Sequence, residues 1–138
     1  MDTSKGLQAF WPFIVDEESA KKATKQGFYS AVFISVMTAV PLMYRVATTQ
    51  SYDLLEVYSG VLGNILPMAF IAFFINRMSR VASICALLLC ILEMFYKYSV
   101  HNSLGMYPLF IIFFTNSIRG TFAYHKFLNE KTEQEAVN

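Results

Sequence analysis

The sequence predicts an all-α integral membrane protein: an antiparallel four-helix transmembrane bundle preceded by a short cytoplasmic surface segment. Of the 138 residues, 55% are apolar and 15% are charged, whereas soluble domains are about a quarter charged. The apolar residues gather in four runs, each near the roughly 20 residues that cross a bilayer. Lysine and arginine concentrate on one side of these runs, which is typical of a multi-pass membrane protein.

The four runs define the domain organisation. They occupy residues 27–44, 57–75, 81–99 and about 104–118, and we expect the last helix to continue to Tyr124. The runs lack the period-two alternation of a β-barrel and the wide polar face of a soluble helix. We therefore assign residues 1–26 to a cytoplasmic, interfacial segment, residues 27–128 to the membrane domain, and residues 129–138 to a frayed polar tail.

The chain before the first run predicts a surface segment that leads into a helix. Residues 10–15 form an apolar stretch too short for a cleavable signal, and Trp11 suits the headgroup layer. Asp16 is typical of a helix N-cap, and Glu17 follows in the first turn, where the helix dipole favours negative charge. Because Lys21 lies four residues after Glu17, the two can pair on one helix face. A helix should begin near Glu17.

The basic residues predict the orientation of the chain. Nine of the eleven lysines and arginines flank one side of the runs, and two flank the other. The nine are Lys5, Lys21, Lys22, Lys25, Arg77, Arg80, Arg119, Lys126 and Lys131, and the two are Arg45 and Lys97. The positive-inside rule then makes both termini and the turn at 76–80 cytoplasmic, with loops 46–53 and 100–103 outside. The expected location is the inner (plasma) membrane of the cell.

Each run carries small or polar residues at helical spacing, and we expect these stripes to face one another inside the bundle. The stripes are Ala31, Ser35, Thr38 and Arg45; Glu56, Gly60, Gly63 and Pro67, with Asn64 beside them; Ser79, Ser83, Ala86, Cys90, Glu93 and Lys97; and Gly105, Pro108, Thr115 and Arg119, with Asn116 and Gly120 flanking them. A hydrated ligand or ion path along the same faces is the alternative. Pro41 and Pro67 each remove a helical hydrogen bond and should kink their helices.

Glu93 is the most informative residue of the third run. At about 1.5 Å per residue it lies in the outer half of the membrane, where an ionised carboxylate is costly unless it is paired or protonated. We expect Glu93 to pair with Lys97, one turn further out, or with Arg45 at the end of the first run. The alternative is a proton- or cation-responsive site at Glu93. Its assisting residues would be Glu56, Asp53 or His101.

The end of the fourth run carries a second group of candidate residues. Arg119 can bind carboxylate or phosphate through two parallel hydrogen bonds, and Gly120 allows close approach by a backbone or a headgroup. We expect Arg119 to position the helix at the membrane surface, with specific binding to lipid phosphate or a partner chain as the alternative. Tyr124 fits the aromatic belt, and His125 should be solvated.

Catalytic and cofactor signatures do not stand out in the sequence. It contains no nucleophile-elbow motif, no phosphate-binding glycine-rich loop and no spacing of metal ligands. Cys85 and Cys90, five residues apart within one helix, point in different directions, and we expect both to be buried, inert thiols. We therefore predict no enzyme activity, no metal and no cofactor.

Two segments carry a resemblance to a known group. Ser-Arg-Val-Ala-Ser at residues 79–83 opens the third run, and Arg-Gly-Thr-Phe-Ala-Tyr-His-Lys at residues 119–126 closes the fourth. These segments resemble an uncharacterised group of small bacterial four-helix membrane proteins that have the same layout. The resemblance covers about the last two spans, and Met78 stands where the group has a basic or a small residue. It implies a bacterial inner membrane and a role for the cytoplasmic end of the last span.

The sequence therefore predicts a non-enzymatic membrane protein that acts through protein or lipid contacts, as an accessory subunit or a homo-oligomer. Its expected partners are the lipid bilayer and either another membrane protein or a second copy of itself, and not nucleic acid. A small transporter or channel that uses Glu93, Lys97 and Arg45 is the alternative. A third reading, an enzyme acting on lipid or quinone, would draw on Arg119, Asn116, His125 and Tyr124.

Overall fold

The computed structural model describes residues 10–48, 54–102 and 104–137. Within these ranges every regular element is helical, which confirms the predicted all-α class. The helices are α1 (Glu17–Thr48), α2 (Leu54–Gly60), α3 (Leu66–Asn76), α4 (Arg80–His101) and α5 (Tyr107–Val137). A π-helical segment, Val61–Ile65, joins α2 to α3.

The start of α1 confirms the predicted cap. The Asp16 carboxylate accepts a hydrogen bond from the Ser19 backbone N–H at 2.7 Å, and the Ser19 hydroxyl oxygen accepts one from the Asp16 N–H at 3.1 Å. This reciprocal arrangement satisfies two donors at the start of the chain's longest helix. Glu17 pairs with Lys21 as expected, and the next pair along, Glu18 with Lys22, is 2.8 Å apart. The helix therefore begins at the predicted residue.

Within the described residues, three helices are long and apolar enough to cross a membrane: Glu17–Thr48, Val57–Asn76 and Arg80–Val100. They correspond to the first three predicted runs. Helix α5 does not belong to this set. It begins at Tyr107, after Gly105 in a left-handed conformation with φ +52°, and its apolar residues are interrupted by Thr115, Asn116 and Ser117 and then by Arg119.

Helix α5 also continues to Val137, through the tail that the sequence analysis expects to be frayed. The tail is rich in Glu, Gln, Lys and Ala, which are good helix formers. Lys126 and Glu130 lie on one face of the helix with their charged atoms 3.8 Å apart. Lys131 reaches Glu17 at the start of α1, with 3.2 Å between the charged atoms. The expectation of a frayed tail is therefore wrong over the residues that the structure describes.

The core lies in one half of the molecule. Helix α5 packs against α1 and α4, and α3 packs against α1 and α4. The fully buried side chains include Met68, Ile75, Ala86 and Phe114. We call this region the compact half; it comprises α1 up to Ile34, α3, α4 up to Cys90, and residues 107–121 of α5.

The remaining helical segments form what we call the open half: α1 beyond Ile34, α2 with the π-helical segment, and α4 beyond Cys90. Large apolar side chains in this half face outward rather than into the protein. Met43, Leu62 and Phe95 are 71%, 60% and 61% exposed. The open half therefore has almost no core of its own.

The π-helical segment accounts for one incorrect stripe prediction. Pro67 cannot donate a backbone hydrogen bond, and the chain widens just before it, so that the Leu66 N–H reaches the Val61 carbonyl five residues back. This wider turn changes the register of the helix, and the buried face after it consists of apolar residues such as Met68. Gly63, predicted to face inward, is exposed and has open space around it.

Candidate functional site

Two glycines permit a close contact between α1 and α5. A Cβ atom added to Gly120 would lie 2.6 Å from the Ala20 carbonyl oxygen and 2.7 Å from the Thr24 backbone nitrogen. A Cβ atom on Gly27 would lie 2.4 Å from the Ser117 Cβ. Gly120 thus permits close approach by a backbone, one of the two partners that the sequence analysis expects, and the backbone is that of α1.

A buried pair of serines links α4 to α5. The hydroxyl oxygens of Ser83 and Ser117 are 3.1 Å apart, and both residues are fully buried. The sequence analysis predicted that Ser83 faces inward, but it did not predict this for Ser117. On that turn of the helix it named Asn116, Arg119 and Gly120 instead. Among the predicted stripe hydroxyls of α1, those of Ser35 and Thr38 donate instead to backbone carbonyls of their own helix.

The predicted stripe of the fourth run does not form the buried face of α5. Gly105 and Pro108 are exposed and Thr115 and Arg119 are only half-buried, whereas the two residues predicted to flank the stripe, Asn116 and Gly120, are buried. The buried face is lined by five other side chains, which the sequence analysis missed. They are Tyr107, Phe110, Phe114, Ser117 and Thr121. The ring of Phe114 fits against Gly27 of α1, so its inward position depends on a residue of another helix that the α5 sequence does not reveal.

Asn116 and Arg119 hold the segment that precedes α1. The fully buried Asn116 amide donates to the Phe10 carbonyl oxygen and, at 2.9 Å, to the Gln26 side-chain oxygen. Arg119 donates to the Asn116 side-chain oxygen at 3.3 Å, and its guanidinium carbon lies 4.2 Å from the centre of the Trp11 ring. Arg119 therefore makes an intrachain hydrogen bond and a cation–π contact while remaining half-exposed.

Tyr124 and His125 lie where α5 meets the turn between α3 and α4. The His125 Nε2 atom is 3.0 Å from the carbonyl oxygen of Met78, a turn residue with φ 59°. The His125 ring also contacts the Tyr124 ring edge-on, and the Lys21 ammonium lies 5.3 Å from the Tyr124 centroid. His125 is half-buried, so the expectation of a solvated histidine is wrong: a backbone carbonyl in the turn accepts its N–H.

Glu93 has a different partner from the two predicted. Its carboxylate accepts a hydrogen bond from the Tyr107 hydroxyl at 3.4 Å, and the Lys97 ammonium lies 5.1 Å from the centre of the same tyrosine ring. Within the described ranges, no ion pair within 4 Å joins Glu93 to Lys97 or to Arg45. Tyr107, in the first turn of α5, therefore contacts both the Glu93 carboxylate and the Lys97 ammonium.

The other residues proposed around Glu93 are spread more widely. Arg45 is exposed near the end of α1 and takes part in a separate interaction. Asp53 lies outside the described residues, and so do the side chains of Glu56 and His101. The structure therefore brings only Glu93, Lys97 and Tyr107 together at this end of α4.

A surface groove runs between α1 and α5, and we name it the α1–α5 groove. It consists of two adjoining cavities of about 380 Å³ and 470 Å³, which share Phe33, Met106 and Phe110. The first cavity extends to Gln26, and the second extends to Lys97. Apart from these ends and a few small polar groups, the lining is apolar.

The described residues contain no cluster of three or more histidine, cysteine or acidic side chains that could hold a metal ion. Cys90 is buried as expected, but Cys85 is exposed on the other side of α4, which corrects the prediction that both thiols are buried. The Cys85 side chain points outward because five residues turn a helix by about 500°, well away from a whole number of turns.

Comparison of the chain with protein-family models, curated proteins and solved structures gave no match.

Proposed function

We propose that this chain is a non-enzymatic inner-membrane protein with four antiparallel transmembrane helices and cytoplasmic termini, which acts through contacts with protein or lipid. The exposed surface of its apolar helices carries the proposal. Within the most apolar 18-residue stretches of the three long helices, only 11%, 22% and 22% of the residues are buried. Leaving that surface in water would cost about 25 cal/mol per Å² of apolar area, so acyl chains or other helices must cover it.

Contacts along α1 and α5 support the antiparallel arrangement and the inclusion of α5 as a fourth span. Going toward the end of α1, Thr24 meets Gly120, Gly27 meets Ser117, and the ring of Phe33 lies 5.9 Å from that of Phe110. The apolar part of α5 therefore lies beside the apolar part of α1. Neighbouring helices that shield each other can cross a membrane with a shorter apolar stretch than an isolated helix needs.

The open half supports a role as an accessory or oligomeric component. A helix pair in lipid is held together by close packing and hydrogen bonds rather than by the hydrophobic effect. The compact half has both, through Gly27, Gly120 and the Ser83–Ser117 pair. The open half instead exposes large apolar side chains such as Leu62. We infer that a helix of another membrane protein, or of a second copy of this chain, packs there.

Site-specific photocrosslinking in native membranes tests this proposal. A photoreactive phenylalanine analogue replaces Leu62 in the open half or, as the matched control, Leu88 on the outer surface of α4 in the compact half; the two are 60% and 56% exposed. We expect a discrete higher-mass adduct from position 62 and none from position 88. Monomer alone from both positions, or equal adducts from both, would contradict the proposed contact.

The second candidate is a small transporter or channel, favoured by the position of Glu93. Its carboxylate is half-buried near the second cavity of the groove, with Tyr107 as hydrogen-bond donor and Lys97 one turn away. If Glu93 exchanges protons or binds cations, Glu93→Gln should abolish pH-dependent flux in liposomes, while Glu130→Gln on the exposed tail should leave it unchanged. Absence of flux in the native protein would remove this candidate.

A further inference from the structure

The α1–α5 groove runs along α1 from the cytoplasmic boundary of the first predicted run toward its outer end, over a length comparable to that of an acyl chain. On α1 it extends from Gln26 to Thr38. Twelve residues of α-helix rise about 18 Å, at about 1.5 Å each, while half of a typical hydrocarbon core is about 15 Å thick. In the orientation proposed above, Thr38 lies toward the outer surface and Gln26 toward the cytoplasm.

We propose that this groove binds one acyl chain of a phospholipid, with the lipid phosphate bound by Lys97. The inference rests on the proposed membrane function and names a lipid partner for it. Lys97 lines the second cavity at the outer end of the groove, and its side chain is exposed. A lysine at a helix end can extend its ammonium to the headgroup layer, where it pairs with phosphate.

The neighbouring acid does not cancel this positive end. Glu93 lies one turn deeper, accepts the hydrogen bond from Tyr107 and lines neither cavity. Tyr107 contacts both groups: its hydroxyl donates to the Glu93 carboxylate, and the Lys97 ammonium lies over its ring. The charge that faces the outer end of the groove is therefore that of Lys97, which is complementary to a phosphodiester.

The size of the groove favours an acyl chain over a partner helix. A helix with side chains is about 10 Å wide, so an 18 Å length of it fills well over a thousand Å³. The two cavities measure about 380 Å³ and 470 Å³. Phe33 and Phe110, whose rings lie 5.9 Å apart, line both cavities. A single flexible hydrocarbon chain can follow both cavities past these rings, whereas a rigid helix is too wide to enter them.

Native mass spectrometry of the full chain in mild detergent, titrated with phosphatidylglycerol, tests the proposal. Lys97→Gln removes the phosphate partner, and Met106→Trp fills the groove from an exposed position that borders both cavities. Lys126→Gln and Leu92→Trp are the controls, because they make the same changes at exposed positions outside the groove. We expect at least a fivefold loss of retained lipid for the first two variants and no loss for the controls, with unchanged helical circular dichroism in all four.

Two results would overturn the inference. One is equal retention by Lys97→Gln and the wild type; the other is a loss for Lys126→Gln as large as that for Lys97→Gln, which would indicate general charge attraction. A reporter fused to the C-terminus separates this failure from failure of the proposed function. If the reporter locates the terminus in the cytoplasm of intact cells while retention is unchanged, the membrane proposal stands and only the groove assignment fails.

Discussion

Gly120→Ala tests the close approach of α1 and α5. The added Cβ would lie 2.6 Å from the Ala20 carbonyl oxygen and 2.7 Å from the Thr24 backbone nitrogen. Both are backbone atoms, so no side-chain rotation relieves the overlap and the two helices must separate. Overpacking of this kind costs up to about 3 kcal/mol, and the better helix propensity of alanine returns about 1 kcal/mol.

The net loss in the free energy of unfolding is therefore about 2 kcal/mol, or about 30-fold in the folding equilibrium. The measurement is a denaturing-detergent titration in mild micelles, followed by tryptophan fluorescence. Trp11 is the chain's one tryptophan and lies 4.2 Å from the guanidinium carbon of Arg119, next to the substituted residue. Its emission should report the separation of the N-terminal segment from α5.

Gly63→Ala is the matched control, because it also replaces a helical glycine but a Cβ there would meet nothing within 4 Å. We expect its unfolding midpoint to equal or exceed that of the wild type. If Gly120→Ala unfolds at the wild-type midpoint or above it, the two helices are further apart than described. The reasoning from glycine to helix contact would then be refuted.

Three further predictions use the same titration. Phe114→Ala removes the largest fully buried side chain among the described residues and should cost about 3–5 kcal/mol. A loss below about 1 kcal/mol would contradict its burial. A double-mutant cycle on Ser83 and Ser117 should give a coupling of about 0.6 kcal/mol, and zero coupling would refute their hydrogen bond. Hydrogen bonding by Ser19, through its side chain first and its backbone N–H second, lowers the pKa of Asp16 from its ordinary 3.8. This contribution is complete above pH 3.8 and is lost as the pH falls through the lowered value, so Asp16→Asn should flatten the acid side of the stability profile; identical profiles would argue against the cap.

Local features of the fold could be read from the sequence, because they depend on residues within one or two helical turns. The Asp16 cap and the Glu17–Lys21 pair are of this kind. The inward stripe of α4 followed from spacing in part: Ser83, Ala86 and Cys90 are buried as predicted, whereas Lys97, at the outer end of the stripe, is exposed. The side chains on one face of α4 are smaller and more polar than those on its other faces, so the helical periodicity of this face is easy to recognise in the sequence.

Features that depend on two distant segments could not be read in this way. Asn116 binds the Phe10 carbonyl, 106 positions away, and His125 contacts a carbonyl in a turn. Every residue has a backbone carbonyl, so the sequence does not identify which one accepts such a hydrogen bond. Glu93 was expected to have a charged partner, but it has the hydroxyl of Tyr107, because the left-handed turn at Gly105 brings the first turn of α5 against α4.

The C-terminal part of α5 is a rigid helical extension that projects beyond the compact half. The eleven residues from Phe127 to Val137 are helical and rise about 16 Å, and the contact between Lys131 and Glu17 ties this rod to the base of α1. A group joined to the C-terminal end of this helix is therefore held at a fixed distance and orientation relative to the rest of the molecule. A fluorescent protein attached there without a linker would turn with the helix, and the polarisation of its light would report the tilt of the whole assembly.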